Sequence, residues 1–285
     1  MTTWSPDDAR RGDPMSAARP RGERAEHPAY GVLRPVTATA SVLLADNPSP
    51  MTLDGTNSWL LRAPGSAECV VVDPGPDDER HLTRLAGYGP VAVVLLTHGH
   101  PDHADGARRF GELVGAEVRA LDPALRLGGE GLTGGQVVSA AGLDIRVLAT
   151  PGHTADSLCF LVEHDEPAVL TGDTVLGRGT TVVAHPDGRL ADYLESLRRL
   201  ADLAPGTAVL PGHGPELPDA GVAARGYLAH REQRLAQVRA ALDRLGPDAT
   251  ARDVVEVVYA DVDRALWPAA ELSVRAQLEY LREHG

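Results

Sequence analysis

Residues 98–103 read His-Gly-His-Pro-Asp-His, which places four side chains able to bind metal within six positions. This run follows the apolar segment 91–96 and precedes a plausible helix start at 104–107. Imidazole and carboxylate groups are good ligands for zinc and similar metals. One ion has room for only some of these side chains together with ligands from elsewhere. The spacing after a strand therefore favours a site for two metals over histidines that are merely solvated.

Three further residues supply the ligands that such a site still needs. His153, Asp173 and His213 each lie beside glycine at the C-terminal end of a short apolar segment. Glycine lets the backbone turn sharply and leaves space beside a metal. Strand ends gathered at one sheet edge would build the site from loops on a rigid scaffold.

In this order, the motifs resemble those of the metallo-β-lactamase-fold hydrolases. The residues that carry the resemblance are Thr97-His98-Gly99-His100-Pro101-Asp102-His103, Pro151-Gly152-His153-Thr154, Gly172-Asp173 and Pro211-Gly212-His213-Gly214. Upstream, Val70-Val71-Val72-Asp73-Pro74-Gly75 is similar to the family's strand-ending Asp-x-Gly. The stretch 47–57, Asn-Pro-Ser-Pro-Met-Thr-Leu-Asp-Gly-Thr-Asn, resembles the β-lactamase-like protein 2 subgroup. That subgroup includes a mitochondrial single-strand endoribonuclease and relatives with thioesterase activity.

The resemblance implies a role for each of the seven residues. His98, His100 and His153 would bind one metal, Asp102, His103 and His213 the second, and Asp173 would bridge both. A hydroxide shared by the two ions would attack a carbonyl carbon or phosphorus. Asp102 would act as the catalytic residue that orients this hydroxide and passes its proton to the leaving group. The expected cofactors are two Zn²⁺ ions, with iron or manganese as alternatives that suit the same ligands.

Two positions separate hydrolysis from other chemistries of the fold. Asp173 occupies a place where the true β-lactamases of this fold lack a bridging carboxylate. His100 stands where the flavodiiron oxidoreductases of the fold have a carboxylate. Hydrolysis is therefore favoured over oxygen reduction.

The formal net charge of −13 bears on the substrate. Binding RNA through many phosphate contacts normally requires a positive surface. We therefore expect a zinc-dependent metallo-hydrolase acting on an ester or thioester, with single-strand endoribonuclease activity on short RNA as the alternative. A non-catalytic nucleic-acid-binding regulator is a third possibility, which the complete set of seven ligand positions disfavours.

Composition predicts a protein of the cytoplasm. The two cysteines, Cys69 and Cys159, lie in apolar segments without metal-ligand spacing and are expected to be core residues, which suits a reducing compartment. The longest apolar run in the strand regions, 91–96, is too short to span a membrane, so no membrane partner is expected. Residues 1–28 are rich in Arg, Pro, Asp and Gly and are predicted to be a disordered tail, within which Met15 is an alternative start.

The remaining pattern predicts an α/β fold, an αββα sandwich spanning residues 29–218. Strands are predicted at 36–45, 57–62, 69–72, 91–97, 117–121, 144–149, 157–162, 168–171 and 207–210. Helices are predicted at 103–114 and 190–203, the second from its amphipathic spacing.

Residues 219–285 are predicted to form a helical appendage, which the subgroup resemblance implies to be winged-helix-like. A long helix should end at Gly246-Pro247, a capping box at 250–253 should open a short helix through Val258, and a last helix should span 269–283. From Gly214 onward there are 9 Arg against 12 acidic residues, which argues against a DNA-reading helix. Packing beside the cleft or a homodimer contact is the expected role.

Overall fold

The computed structural model describes residues 30–246 and 248–284. The tail predicted at residues 1–28 lies outside the described residues. In the part that is described, no helix is long and apolar enough to cross a membrane.

The first sheet has six strands in sequence order. They are β1 (Arg34–Pro35), β2 (Ala40–Leu44), β3 (Asn57–Leu61), β4 (Cys69–Val72), β5 (Val91–Leu95) and β6 (Val118–Arg119). The pairs from β1 to β4 are antiparallel, whereas β4, β5 and β6 run parallel. Helix α1 (Glu79–Ala86) connects β4 to β5, and helices α2 (Pro101–Ala104) and α3 (Ala107–Val114) connect β5 to β6.

The second sheet has five strands. They are β7 (Val137–Ala140), β8 (Leu143–Ala149), β9 (Leu158–Val162), β10 (Ala168–Gly172) and β11 (Ala208–Pro211), in the order β11-β10-β9-β8-β7. Only β10 and β11 are parallel, and helix α4 (Leu190–Ala201) connects them.

The two sheets face each other across an apolar core that includes Trp59, Val72, Ile145 and Phe160. The outer face of the first sheet packs against α1 and α3, and that of the second packs against α4 and the helix that begins at residue 220. Burial on both faces explains why several central strands read as unbroken apolar runs. The predicted αββα sandwich is confirmed.

Several details of the sandwich differ from the sequence-based prediction. Only residues 40–44 of the expected strand 36–45 form a strand, β2, because the Thr37 hydroxyl accepts from the amides of Thr39 and Ala40 and turns the chain between β1 and β2. Helix α1, capped by the Asp78 carboxylate, was not predicted. Strand β7 was not predicted either, since two of its four residues are exposed.

The predicted helix 103–114 is two helices, α2 and α3, separated at Asp105 and Gly106. A Cβ atom at Gly106 would lie 2.7 Å from the carbonyl oxygen of Pro76. The Gly106 amide donates to the Gly75 carbonyl at 3.1 Å, so the helical hydrogen-bond pattern is interrupted there. Because α2 begins at Pro101, Asp102 and His103 lie in its first turn.

In the described residues, three α-helices follow the second sheet, namely α5 (Ala220–Leu245), α6 (Ala251–Val258) and α7 (Trp267–His284). The predicted capping box of Thr250 and Asp253 is present at the start of α6. The first half of α5 packs on α4, while its second half forms a separate core with α6 and α7. On α7, Ser273, Val274, Ala276 and Gln277 are buried, whereas Leu272 and Leu278 are half-buried.

Candidate metal centre

The seven predicted ligands all come from one edge of the sandwich. His98 and His100 follow β5, Asp102 and His103 lie on α2, and His153, Asp173 and His213 follow β8, β10 and β11. The structure brings them into two groups, within each of which the potential ligand atoms lie within 4.8 Å of one another. The first group is His98, His100, His153 and Asp173, and the second group is Asp102, His103 and His213.

In the first group the ring nitrogens converge. His100 Nδ1 lies 3.1 Å from His98 Nε2 and 2.9 Å from His153 Nε2. One oxygen of Asp173, Oδ2, lies 3.7 Å from His153 Nε2. Three imidazoles and one carboxylate therefore face a common point.

In the second group the Nε2 atoms of His103 and His213 are 3.2 Å apart. Asp102 Oδ2 lies 3.3 Å from the first and 3.2 Å from the second. Asp173 Oδ1 lies 3.4 Å from each of them. The two oxygens of Asp173 thus face different groups, the arrangement expected of a bridging carboxylate.

The outer nitrogens of three histidines determine what the inner nitrogens can do. His103 Nδ1 lies 2.8 Å from Asp73 Oδ2, His213 Nδ1 lies 3.1 Å from the Gly55 carbonyl, and His153 Nδ1 lies 2.6 Å from the Val182 carbonyl. These oxygens only accept, so each Nδ1 carries the proton and donates. In a neutral imidazole that is protonated at Nδ1, the Nε2 atom has no proton and presents a lone pair.

These lone pairs test whether the residues fit a metal. With both rings neutral, His103 and His213 direct two lone pairs at each other beside the carboxylates of Asp102 and Asp173, and these lone pairs repel unless a proton or a metal ion lies between them. Asp173 Oδ1 is buried and makes no hydrogen bond within the described part of the chain. The donors therefore fit divalent metal ions of the kind that His and Asp bind.

The second group is electrostatically negative. Burial tends to lower the pKa of His213, but the carboxylates of Asp173 and Asp102 outweigh it and raise this pKa to about 9. The pKa of His103 is likewise raised well above its ordinary value against the effect of burial. Burial tends to raise the pKa values of Asp102 and Asp173, but the imidazoles lower both. This pocket strongly favours positive charge.

The first group behaves in the opposite way. Burial lowers the pKa of His153 to about 4 and that of His98 well below its ordinary value, and the partial compensation by Asp173 does not reverse this. These imidazoles are neutral at physiological pH and offer uncharged nitrogen donors.

Asp73 contacts the candidate site, although the sequence analysis gave it no role. Its buried carboxylate accepts from the amide and hydroxyl of Thr97, at 2.8 and 2.6 Å, and from His103 Nδ1. Its φ of 52° turns the chain directly after β4. An acidic residue between an apolar strand and Pro-Gly was the available signal.

The stretch 47–57 contacts the candidate site through Asp102. Thr56 donates its hydroxyl to Asp102 Oδ2 at 2.9 Å, and Asn47 Nδ2 donates to that hydroxyl at 3.0 Å. The preceding Gly55 has φ +132°, and a Cβ there would lie 2.1 Å from the Ala45 carbonyl oxygen. The Asn47 and Thr56 side chains thus set the orientation of Asp102.

Comparison with known protein families identifies the superfamily to which the chain belongs. Residues 51–213 match the family model described as the metallo-β-lactamase superfamily. The chain belongs to this superfamily. Residues 250–285 match the model of the β-lactamase associated winged helix domain, so the expected winged-helix character of the C-terminal region is confirmed.

Individual relatives extend the match beyond the core. A β-lactamase-like protein 2 homolog from Drosophila melanogaster is 31% identical over 88% of this chain and 90% of its own length, which confirms the resemblance to that subgroup. An atrochrysone carboxyl ACP thioesterase from Aspergillus fumigatus is 32% identical over 76% of this chain and 72% of its own. The crystal structure of a β-lactamase domain protein from Burkholderia ambifaria is similar with a TM-score of 0.76 and 28% identity, covering 90% of this chain and 89% of that one.

Proposed function

We propose that the seven residues of the two groups hold two divalent metal ions and that the chain hydrolyses carboxylic esters or thioesters. The observation that carries the proposal is the convergence of His103 Nε2 and His213 Nε2, 3.2 Å apart, with two carboxylates. Asp73 and the Gly55 carbonyl fix the tautomers that turn both lone pairs inward. Zinc is the first expectation, and iron and manganese suit the same donors.

His98, His100 and His153 would hold one ion, Asp102, His103 and His213 the other, with Asp173 shared. Such ions lower the pKa of water to about 7 and polarise a substrate oxygen. Asp102 is the carboxylate best placed to accept and pass on a proton. Its side chain is 26% exposed, against 11% for Asp173 and 2% for Asp73, so substrate can reach it.

The ester or thioester assignment rests on two observations. The net charge of −13 disfavours a polyanion that must be bound through many phosphates. The similarity to a protein named as an acyl carrier protein thioesterase supports a thioester in particular. Short single-stranded RNA is the competing substrate, and a regulator without catalysis is the competing function.

The test is a panel of a thioester, a carboxylic ester, a lactone, a phosphodiester and single-stranded RNA, each assayed with the metal-loaded protein. We expect the thioester or ester to give the highest kcat/KM. Asp102→Asn should lower that kcat/KM by at least about 100-fold, the order of a lost acid-base group. The matched control is Asp105→Asn, three residues further on and exposed, which should behave like the wild type. Turnover of RNA alone would refute the substrate, and no turnover by a protein with two bound ions would favour the regulator.

A further inference from the structure

The segment 173–183, here called the Asp173 loop, contributes to both groups of the metal centre. Asp173 directs one carboxylate oxygen to each group. The Val182 carbonyl accepts the Nδ1 proton of His153 at 2.6 Å and so orients that ring. The first group therefore depends on the loop twice, through Asp173 and through His153.

The loop is bound on its outer side by helix α5. Arg231 donates through Nη2 to the Thr181 carbonyl at 2.5 Å, and the Thr181 hydroxyl donates to the Asp173 carbonyl. One turn earlier on the helix, the Tyr227 hydroxyl donates to the Gly179 carbonyl at 3.1 Å. A chain of hydrogen bonds thus leads from the α5 side chains to the backbone of the bridging aspartate.

The surroundings of Arg231 show how tightly this contact is built. The residue is only 3% exposed, and its guanidinium carbon lies 5.1 Å from the centroid of the Tyr193 ring. Burying a cation costs free energy unless acceptors and a ring face compensate. The Thr181 carbonyl and the Tyr193 ring provide part of this compensation. Tyr193 in turn donates to the Thr174 carbonyl at 2.7 Å, again within the loop.

Helix α7 binds the end of the loop. Ser273 Oγ accepts from the Val183 amide at 3.3 Å, and His185 Nε2 lies 3.3 Å from Glu279 Oε2. Helices α5 and α7 therefore both contact the segment that carries Asp173.

We propose that Arg231 is a positioning residue of the metal centre, which fixes the Asp173 loop through the Thr181 carbonyl and on which the first group depends more than the second. The inference rests on the proposed function, since it takes the seven residues as ligands. The second group is less dependent because Asp73 and the Gly55 carbonyl, which orient His103 and His213, lie outside the loop.

The experiment measures the affinity of each site for zinc by equilibrium dialysis against a chelator series. Arg231→Met removes the donor and the charge while keeping much of the side-chain volume. We expect the wild type to bind two ions and Arg231→Met to bind one of them about 10- to 100-fold more weakly, as for loss of an outer-shell partner. The weakened ion should be the one that His153→Ala also weakens. Arg225→Met is the matched control on the same helix, since Arg225 is exposed and donates to the Ala201 carbonyl of α4, outside the Asp173 loop.

A second pair of variants tests the same link from the loop and decides the matter if Arg231→Met does not fold. Thr181→Val removes the hydroxyl that reaches the Asp173 carbonyl, whereas Thr181→Ser retains it. Selective weakening in the Val variant with recovery in the Ser variant supports the inference. Unchanged affinity in folded variants, or equal weakening of both ions in step with a lower Tm, would overturn it. A wild type that binds fewer than two ions would instead refute the proposed function.

Discussion

The two halves of the metal centre are held in different ways. In the second group the carboxylates of Asp102 and Asp173 raise the pKa of His213, and the two histidines are oriented by the carboxylate of Asp73 at the end of β4 and by the Gly55 carbonyl. In the first group burial lowers the pKa values of His98 and His153, and His153 is oriented by the Val182 carbonyl in a loop that the C-terminal helices contact. Charge and a rigid strand end favour tight binding in the second group. The first group relies more on the placement of a loop.

Asp173 belongs to both halves, so its loss should have the largest effect. Asp173→Ala removes the carboxylate that faces both groups. It also leaves less negative charge around the remaining ligands. We expect both ions to bind more than about 100-fold more weakly, beyond the range for an outer-shell partner, and the hydrolytic activity to be lost. Metal content after dialysis, measured by mass spectrometry, checks this.

The comparison variant is His213→Ala, which should chiefly empty the second group and leave one ion bound. If Asp173→Ala also keeps one ion at wild-type affinity, the carboxylate does not bridge.

Replacing Asp73 should change the second group selectively. Asp73→Asn preserves the shape but removes the charge that faces His103 Nδ1, 2.8 Å away. We expect the second ion to bind about 10- to 100-fold more weakly, with little change in the first. Competition against a zinc chelator, site by site, measures the difference. Asp77→Asn, at an exposed carboxylate paired with Arg109 on the surface, should have no effect. Weakening confined to the first ion would contradict the division into two halves.

The smallest expected effect is that of salt concentration on turnover. It tests how much the charges around both halves of the site contribute to substrate binding. A small neutral thioester forms few ion pairs with the protein, so its kcat/KM should stay nearly constant from low to physiological ionic strength. RNA cleavage that depends on several phosphate contacts should fall steeply over the same range. Initial rates at a series of salt concentrations distinguish the two. A steep fall for RNA, combined with a higher kcat/KM than for the thioester, would reverse the order of substrates proposed above.

Much of the sandwich follows from local patterns. Buried strands such as β4 and β9 are continuous apolar runs, and α4 has amphipathic spacing, so both types of element were predicted close to their observed bounds. Helix α1 was missed because it has only eight residues, five of them polar or charged. The break between α2 and α3 was missed because Gly106 is compatible with a helix, and only the folded chain brings the Gly75 carbonyl to its amide.

The sequence alone determined which seven side chains meet, because His, Asp and Gly at strand ends form a dense local pattern that can be recognised without knowledge of the fold. It also determined the charge balance that bears on the substrate. Only the tertiary structure decided how those side chains are oriented. The acceptors at Gly55 and Val182 are backbone carbonyls, which every residue has and no motif marks. The contact of Arg231 with Thr181 joins positions 50 residues apart, and such pairs are set by the packing of α5 on the second sheet.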